Sequence, residues 1–261
     1  MDTVKFITLT NNGYIDYTLN CLKSLELIDF QKSLYCYTLG KESHNILQKN
    51  GYKSILLNSN IDDTEFNSYR QGNWHHITKR KFEIIHKELK NNKFVCFTDG
   101  DIVFLNKNFM NYCLSYIQEN DIIIQNDLLL NNDQSYVCSG FMFIKSNKKM
   151  LDLFNPENVK KYVKPDWDDQ VYINQIKSKL KYKTLPLNLF PNGKYYYQSE
   201  KNKNMINFYF CKETEKNKKN LFPNGIYYHF KKELQPMMIH FNWVIGHEKK
   251  NKMIQHNKWY L

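Results

Sequence analysis

An α/β fold, with a mostly parallel sheet flanked by helices, is what this sequence predicts, on three observations. Strand-like and helix-like segments alternate through the first 105 residues, the pattern of parallel strands joined by helical crossovers. At 93–105 stands KFVCFTDGDIVFL, a continuous apolar run of the kind a doubly buried strand requires, broken only by Asp99 and Asp101. The 261 residues are 42% hydrophobic and 15% aromatic, enough for a large core and unlike a disordered chain.

The elements follow in order. VKFITLT (4–10) has the β-branched and aromatic content of a strand and runs into the turn NNG. YIDYTLNCLKSLELI places Leu19, Leu22, Leu25 and Ile28 at helical spacing. SLYCYTL (33–39) is the next strand, ESHNILQKNGY a short helix ending at Gly51, and KSILLN a third strand. TKRKFEIIHKELKNN (78–92) is an amphipathic helix with Phe82, Ile85 and Leu89 inward, feeding the strand that carries the two aspartates. Beyond Leu105, NDIIIQND and VCSGFMFIK are strands, and PDWDDQVYINQIKSKL is a helix entered through an acidic turn. LFPNG followed by tyrosines occurs at 189–196 and again at 221–228. Asparagine and glycine tolerate positive φ, so each copy predicts a hairpin on the rim of the C-terminal half. No Pro/Ser/Gly-rich linker appears, and residues 1–261 are expected to form a single domain.

With 37 Lys and Arg against 26 Asp and Glu, the net charge of +11 favours polyanionic partners, among them nucleotides, nucleic acids and acidic membranes. Part of that charge lies in lysine- and asparagine-rich stretches, SEKNKN and KETEKNKKN, which are expected to be solvated loops. The one concentrated patch, HITKRK (76–81), lies at the start of a helix, where it suits a nucleotide phosphate as well as a nucleic acid. The remaining lysines are dispersed and no RRM, KH, zinc-finger or helix-turn-helix pattern occurs, so nucleic acid is not the expected partner. The six cysteines are scattered without a CxxC, which predicts buried, reduced thiols in a reducing compartment. MDTVKFITLTNNG is too short and polar for a signal peptide, and no apolar run approaches ~18 residues. A cytoplasmic location with no membrane span is the expectation.

Asp99 and Asp101 carry the functional reading. Buried carboxylates need a cation, a basic side chain or a proton to compensate lost hydration. In a strand, residues two apart share a face, their Cα atoms about 6.5–7 Å apart, so both carboxylates can meet one ion. Gly100 between them lets backbone approach a ligand closely. Hard oxygen ligands suit Mg²⁺ or Mn²⁺, which bridge to substrate phosphates. The bland reading is that one aspartate caps a turn and the other forms a salt bridge. Downstream, in MMIHFNWVIGHEKKNK, His240 follows a strand-like segment and precedes Gly246, Lys249 and Lys250. That histidine is either structural or a further metal ligand, imidazole favouring Mn²⁺ over Mg²⁺. Trp243, beside it, either floors an acceptor pocket or simply packs, and the tyrosine-rich KYYYQ, NFYF and YYHF read chiefly as hairpin core.

Five segments in order, FITLTNNGY, KFEIIHKELKNNKFVCFTDGDIVFL, CSGFMFIKS, DWDDQVYIN and HFNWVIGHEKK, resemble the GT-A nucleotide-diphospho-sugar glycosyltransferases. The resemblance is to the retaining group that includes plant cell-wall xylosyl- and arabinosyltransferases, related to the glycogenin-like group. It implies a Rossmann-like GT-A sheet, with a nucleotide-binding half at 1–105 and an acceptor-binding half at 106–261. Asp99 and Asp101 are then the DxD pair, His240 the third metal ligand, and Lys249, three after Gly246, the lysine on the diphosphate. Thr10 and Asn11 are implied in a uridine pocket, and Lys81, at the head of its helix, faces the nucleotide. Asp169 and Gln170 match the pair beside the reactive sugar carbon, and Asp127 an aspartate on donor hydroxyls. The implied cofactor is Mn²⁺ or Mg²⁺, the donor a UDP-sugar, and the acceptor a glycan, protein or lipid-linked hydroxyl. Cys138 departs from the family's asparagine before Ser-Gly, and Lys250 from a proline. Two rivals stand beside this reading. One is a haloacid-dehalogenase-like phosphatase with Asp99 as nucleophile, although DGDIV lies a third of the way along the chain instead of opening it. The other is a basic nucleic-acid-binding protein.

Overall fold

The computed structural model describes residues 4–60, 63–67, 70–164, 167–201 and 235–261. Seven strands form the main sheet: β1 (Val4–Asn11), β2 (Leu34–Leu39), β3 (Lys53–Leu56), β4 (Phe94–Thr98), β6 (Ile122–Asn126), β7 (Val137–Lys145) and β8 (Tyr182–Leu185). Their spatial order is β3-β2-β1-β4-β7-β6-β8. The β1–β2, β2–β3, β1–β4 and β6–β8 pairs are parallel, and only β7 runs against its neighbours β4 and β6. A separate ribbon pairs β5 (Ile102–Phe104) with β9 (Met238–His240) antiparallel. Among the described residues the helices are α1 (Ile15–Glu26), α2 (Lys41–Lys49), α3 (Trp74–Leu89), α4 (Phe109–Ile117), α5 (Lys148–Leu153), α6 (Pro156–Tyr162), α7 (Asp169–Ile176), α8 (Gly193–Lys201) and α9 (Gly246–Gln255).

Both faces of the sheet are covered, which is why its strands are continuous apolar runs instead of alternating ones. Phe6, Cys96, Ile123 and Phe143 face one core cluster, and their strand neighbours Ile7, Phe97, Ile124 and Met142 face the other. Helix α3 buries Phe82, Ile85 and Leu89 on the second face. Each such side chain contributes roughly 1.5–3 kcal/mol, which outweighs the helix's marginal stability alone.

Three expectations need correction. The run 94–105 is not one strand: β4 ends at Thr98, Asp99-Gly100-Asp101 forms a turn, and β5 joins the other sheet. Because β5 is as buried as β4, the apolar pattern cannot register the change of sheet. The first LFPNG copy is not a hairpin. Asn192 Oδ1 accepts the Tyr195 N–H at 2.9 Å and opens α8, so asparagine's affinity for backbone N–H groups is used to start a helix. KYYYQ accordingly lies on α8, where Tyr196 and Tyr197 pack on Phe241. The second LFPNG copy, NFYF, YYHF and KETEKNKKN fall outside the described residues, as does the end of SEKNKN. Finally, α3 begins at Trp74, so Lys81 and HITKRK lie within the helix and not at its head.

Candidate active site

In the strand order, β2 and β4 flank β1, so the connections leaving β1 and β4 diverge and open a crevice at their carboxyl ends. Thr10 and Asn11 end β1, and the Asp99–Asp101 turn leaves β4. A cavity of about 550 Å³ lies there, lined by Thr10, Asn11, Lys81, Asp99, Asp101, Asp127, Asp169, Gln170, His240, Gly246 and Lys249. The residues that the resemblance places on the donor and the metal therefore border one space, whereas Lys250 and His76, Lys79 and Arg80 of HITKRK do not line it.

The ribbon delivers His240. Ile102 pairs with His240, and the Phe241 N–H donates to the Asp101 carbonyl at 3.1 Å. His240 Nε2 then lies 3.2 Å from Asp101 Oδ1 and 4.0 Å from Asp99 Oδ2. Its tautomer follows from Gln125, whose Nε2 donates to the Phe190 and Pro191 carbonyls, both at 3.2 Å. The Gln125 Oε1 thus faces His240 Nδ1 at 2.7 Å, which places the imidazole proton on Nδ1 and leaves a lone pair on Nε2. A lone pair opposite a carboxylate oxygen calls for a cation between or beside them. Asp101 Oδ1 is buried without a hydrogen-bond partner, and ligand atoms of Asp99, Asp101 and His240 all lie within 4.8 Å of one another. These residues fit a divalent ion. Gly140 makes room for the cluster: a Cβ there would lie 2.2 Å from His240 Cε1 and 2.9 Å from Asp99 Oδ2.

Two lysines balance the acids. Lys81 Nζ bridges Asp99 Oδ1 at 2.8 Å and Asp169 Oδ2 at 2.6 Å. Asp169 Oδ2 also accepts the Ser139 hydroxyl at 2.7 Å. Burial works against the Lys81 charge, but Asp169 and Asp99 outweigh it and hold the ammonium above its ordinary range. Lys249, on the first turn of α9, pairs with Asp101 and donates to the Tyr14 hydroxyl at 2.8 Å. Burial alone would push Asp101 up, yet the Lys249 ammonium beside it holds it well below the usual carboxylate range. Asp99 goes the other way, raised by burial despite Lys81.

On the far wall, Asp127 accepts from Gln170 Nε2 at 2.9 Å, Asn242 Nδ2 at 3.0 Å and the Trp243 indole N–H at 3.1 Å. Burial raises its pKa and these donors offset only part of the rise. At the near wall, the Asn11 amide donates to the carbonyls of Asp63 at 3.1 Å and Glu65 at 2.7 Å, fastening residues 63–67 beside β1. Thr10 Oγ1 accepts the Thr18 hydroxyl at 2.8 Å. Cys138 is buried beside His240, and burial pushes its thiol well up.

Sequence reasoning gave no role to Tyr14, Gln125, Ser139 or Asn242. Gln125 left a trace, a lone amide in the apolar run IIIQN, where a buried polar group demands a partner. The others are recognised only through contacts made by distant segments.

Comparison with known proteins agrees with this arrangement. UDP-galactose:fucoside alpha-3-galactosyltransferase of Dictyostelium discoideum is 28% identical over an alignment 307 positions long, covering 98% of this chain and 43% of its own length. The chain thus spans less than half of that relative. Among solved structures, the apo-form glycosyltransferase GlyE of Streptococcus pneumoniae superposes with a TM-score of 0.55 at 14% identity, over 99% of this chain and 61% of that one. Apo mouse xyloside xylosyltransferase 1 gives 0.54 at 10% identity, over 92% and 98% of the two chains. An active-site mutant of LgtC gives 0.54 at 13% identity, over 90% and 86%. At these identities the likeness is one of fold. The nucleotide-diphospho-sugar transferase model matches residues 32–254, and the phosphatase and nucleic-acid readings give way: the chain belongs to that family of GT-A glycosyltransferases.

Proposed function

We propose that the protein moves a sugar from a UDP-sugar to an acceptor hydroxyl, with a divalent ion bound and with retention at the anomeric carbon. The observation that carries this reading is the meeting of Asp99, Asp101 and His240 beside Lys249 in the crevice where β1 and β4 end. When bound, Mn²⁺ or Mg²⁺ supplies positive charge to the departing diphosphate, the imidazole favouring Mn²⁺. Lys249 and the N-terminal turn of α9, opened by Gly246 at φ +53°, border the same cavity and would hold that diphosphate. Lys249 exchanges Asp101 for phosphate oxygens as donor binds. Thr10 and Asn11 border the uridine pocket, Asn11 by fixing residues 63–67 against it.

Lys81 bridges Asp99 and Asp169 and holds both carboxylates in place. Asp169 already accepts two donors on one oxygen, an arrangement suited to a fixed negative charge near the oxocarbenium-like carbon more than to a nucleophile. Gln170 and Asp127, bonded to each other, face the sugar hydroxyls. The leaving diphosphate needs no general acid, unlike the leaving group of a glycosidase. Residues 1–105 form the nucleotide-binding half and 106–261 the acceptor half, the acceptor being a glycan, protein or lipid-linked hydroxyl. No helix among the described residues is long and apolar enough to cross a membrane. The five cysteines among the described residues are free and buried, which supports a reducing, cytoplasmic setting.

The Dictyostelium relative is named for galactose transfer, so UDP-galactose is the first donor to test. With Mn²⁺ and UDP-galactose, UDP-glucose or UDP-xylose, slow release of UDP is expected. Excess chelator should stop it, and Asp101→Asn should slow it by about 10²-fold or more. Full activity in chelator refutes the metal role, and no UDP release from any donor refutes the transferase reading. The anomeric configuration of the product, read by NMR, tests retention.

A further inference from the structure

Trp243 is 53% exposed, yet it borders the cavity that holds Asp99, Asp101 and His240. Large aromatic side chains are usually buried, and its backbone sits at φ +64°, a region bulky residues rarely occupy. A strained, exposed tryptophan persists only where its surroundings over-determine it. They do so here. The Trp243 indole N–H is tied to Asp127 at 3.1 Å, and the Lys194 ammonium lies 4.7 Å from the ring centroid. The preceding residue is locked as well. Asn242 Nδ2 donates to Asp127 at 3.0 Å, and Asn242 Oδ1 accepts the Gly193 N–H at 2.7 Å. Gly193 has no alternative, since a Cβ there would lie 2.0 Å from the Asn242 carbonyl oxygen.

The first LFPNG copy thereby gains a purpose. Asn192, fully buried, donates to the carbonyls of Asn126 at 3.1 Å and Leu128 at 2.8 Å, on either side of Asp127. Gly193 supports the turn that carries Trp243. One Asn-Gly pair thus sets both the carboxylate and the indole at a fixed separation. Packing alone does not explain this, because a packed tryptophan would be covered.

We infer that Trp243 is the specificity-determining platform for the acceptor, and that the acceptor is a pyranoside laid by its C–H face on the indole, not a protein hydroxyl. This rests on the transferase reading above. Aromatic rings held rigid cost little entropy on binding and favour the apolar face of a sugar ring. Exposed Ile245 and Phe66, on the same cavity, extend the apolar rim.

Steady-state kinetics with UDP-galactose, Mn²⁺ and a panel of methyl glycosides of fucose, galactose, glucose and xylose test it. At least one glycoside should accelerate UDP release by the wild type. Trp243→Ala should raise the KM for that glycoside at least ten times more than the KM for donor. Trp243→Phe, which keeps a ring but loses the N–H bond to Asp127, should keep acceptor KM within about threefold. Gly193→Ala should mimic Trp243→Ala. Equal rises in the two KM values, no rise, or a Phe variant as impaired as the Ala variant would overturn the inference. So would donor hydrolysis that no glycoside accelerates while a serine or threonine peptide does. Complete absence of UDP release by the wild type would instead remove the transferase reading and this inference together.

Discussion

His240 depends on an amide that touches no other member of the acidic cluster. Gln125, anchored by two carbonyls, dictates which imidazole nitrogen carries the proton and so keeps Nε2 open toward Asp101. Groups that orient a ligand histidine are worth about 10–100-fold in metal affinity. Gln125→Leu should weaken Mn²⁺ binding by that factor, measured by titration calorimetry or the EPR of free Mn²⁺, and unchanged affinity would sink the tautomer argument. The same contrast shows what was legible. Asp99, Asp101 and His240 were visible because each sits at the end of an apolar run, where a charge needs a reason. Tyr14 and Asn242 were not, since a tyrosine after NNG or an asparagine after HF looks the same whether it lines a cavity or a loop.

Asp121, just before β6, shows how the elements of the C-terminal half are joined. Its carboxylate accepts the Lys181 N–H at 2.9 Å, the Asn147 side chain at 3.0 Å and the Lys149 ammonium at 2.7 Å, linking β6 to the start of β8 and to α5. Burial favours protonation, but Lys149, Lys181 and Asn147 outweigh it and hold the carboxyl below its ordinary range. A carboxyl depressed on folding stabilises the protein above the unfolded-state value of ~3.9 and loses that contribution as pH falls through the folded value. Asp121→Asn should cost about 1–2 kcal/mol at pH 7, the exposed Lys149 pair supplying the smaller share. In thermal melts the gap between variant and wild type should close toward pH 3, and a pH-independent gap would refute the charge account. At this scale much is legible in the sequence. The span VCSGFMFIK matches β7 and the acidic turn before DQVYIN caps α7, because strand burial and helix capping are local chemistry. The break between β4 and β5 and the helical fate of PNGKYYY were hidden, since both are decided by what packs against the segment.

Across the whole molecule, the last described stretch is bound to the first. Asn20, buried on α1, donates to the Lys258 carbonyl at 2.9 Å and accepts the Tyr260 N–H at 2.6 Å, while the Tyr17 hydroxyl donates to the Gly246 carbonyl at 2.9 Å. Trp259 packs edge-on against Tyr17 at 5.8 Å between centroids. These ties place α9, and with it Lys249, against the helix that follows β1. Most of the sheet's two core faces come from residues before 235, with only Met237 and Met238 joining one of them from the tail. The two-strand ribbon is different, for one of its strands comes from residues 102–104 and the other from 238–240. On a ribosome the molecule is therefore chemically mute for most of its synthesis, able to assemble its scaffold but not to grip an ion. In stopped-flow refolding with Mn²⁺ present, ion capture should trail the appearance of sheet circular dichroism. Simultaneous onset would mean that the acids alone suffice, and that the tail merely tightens a grasp already made.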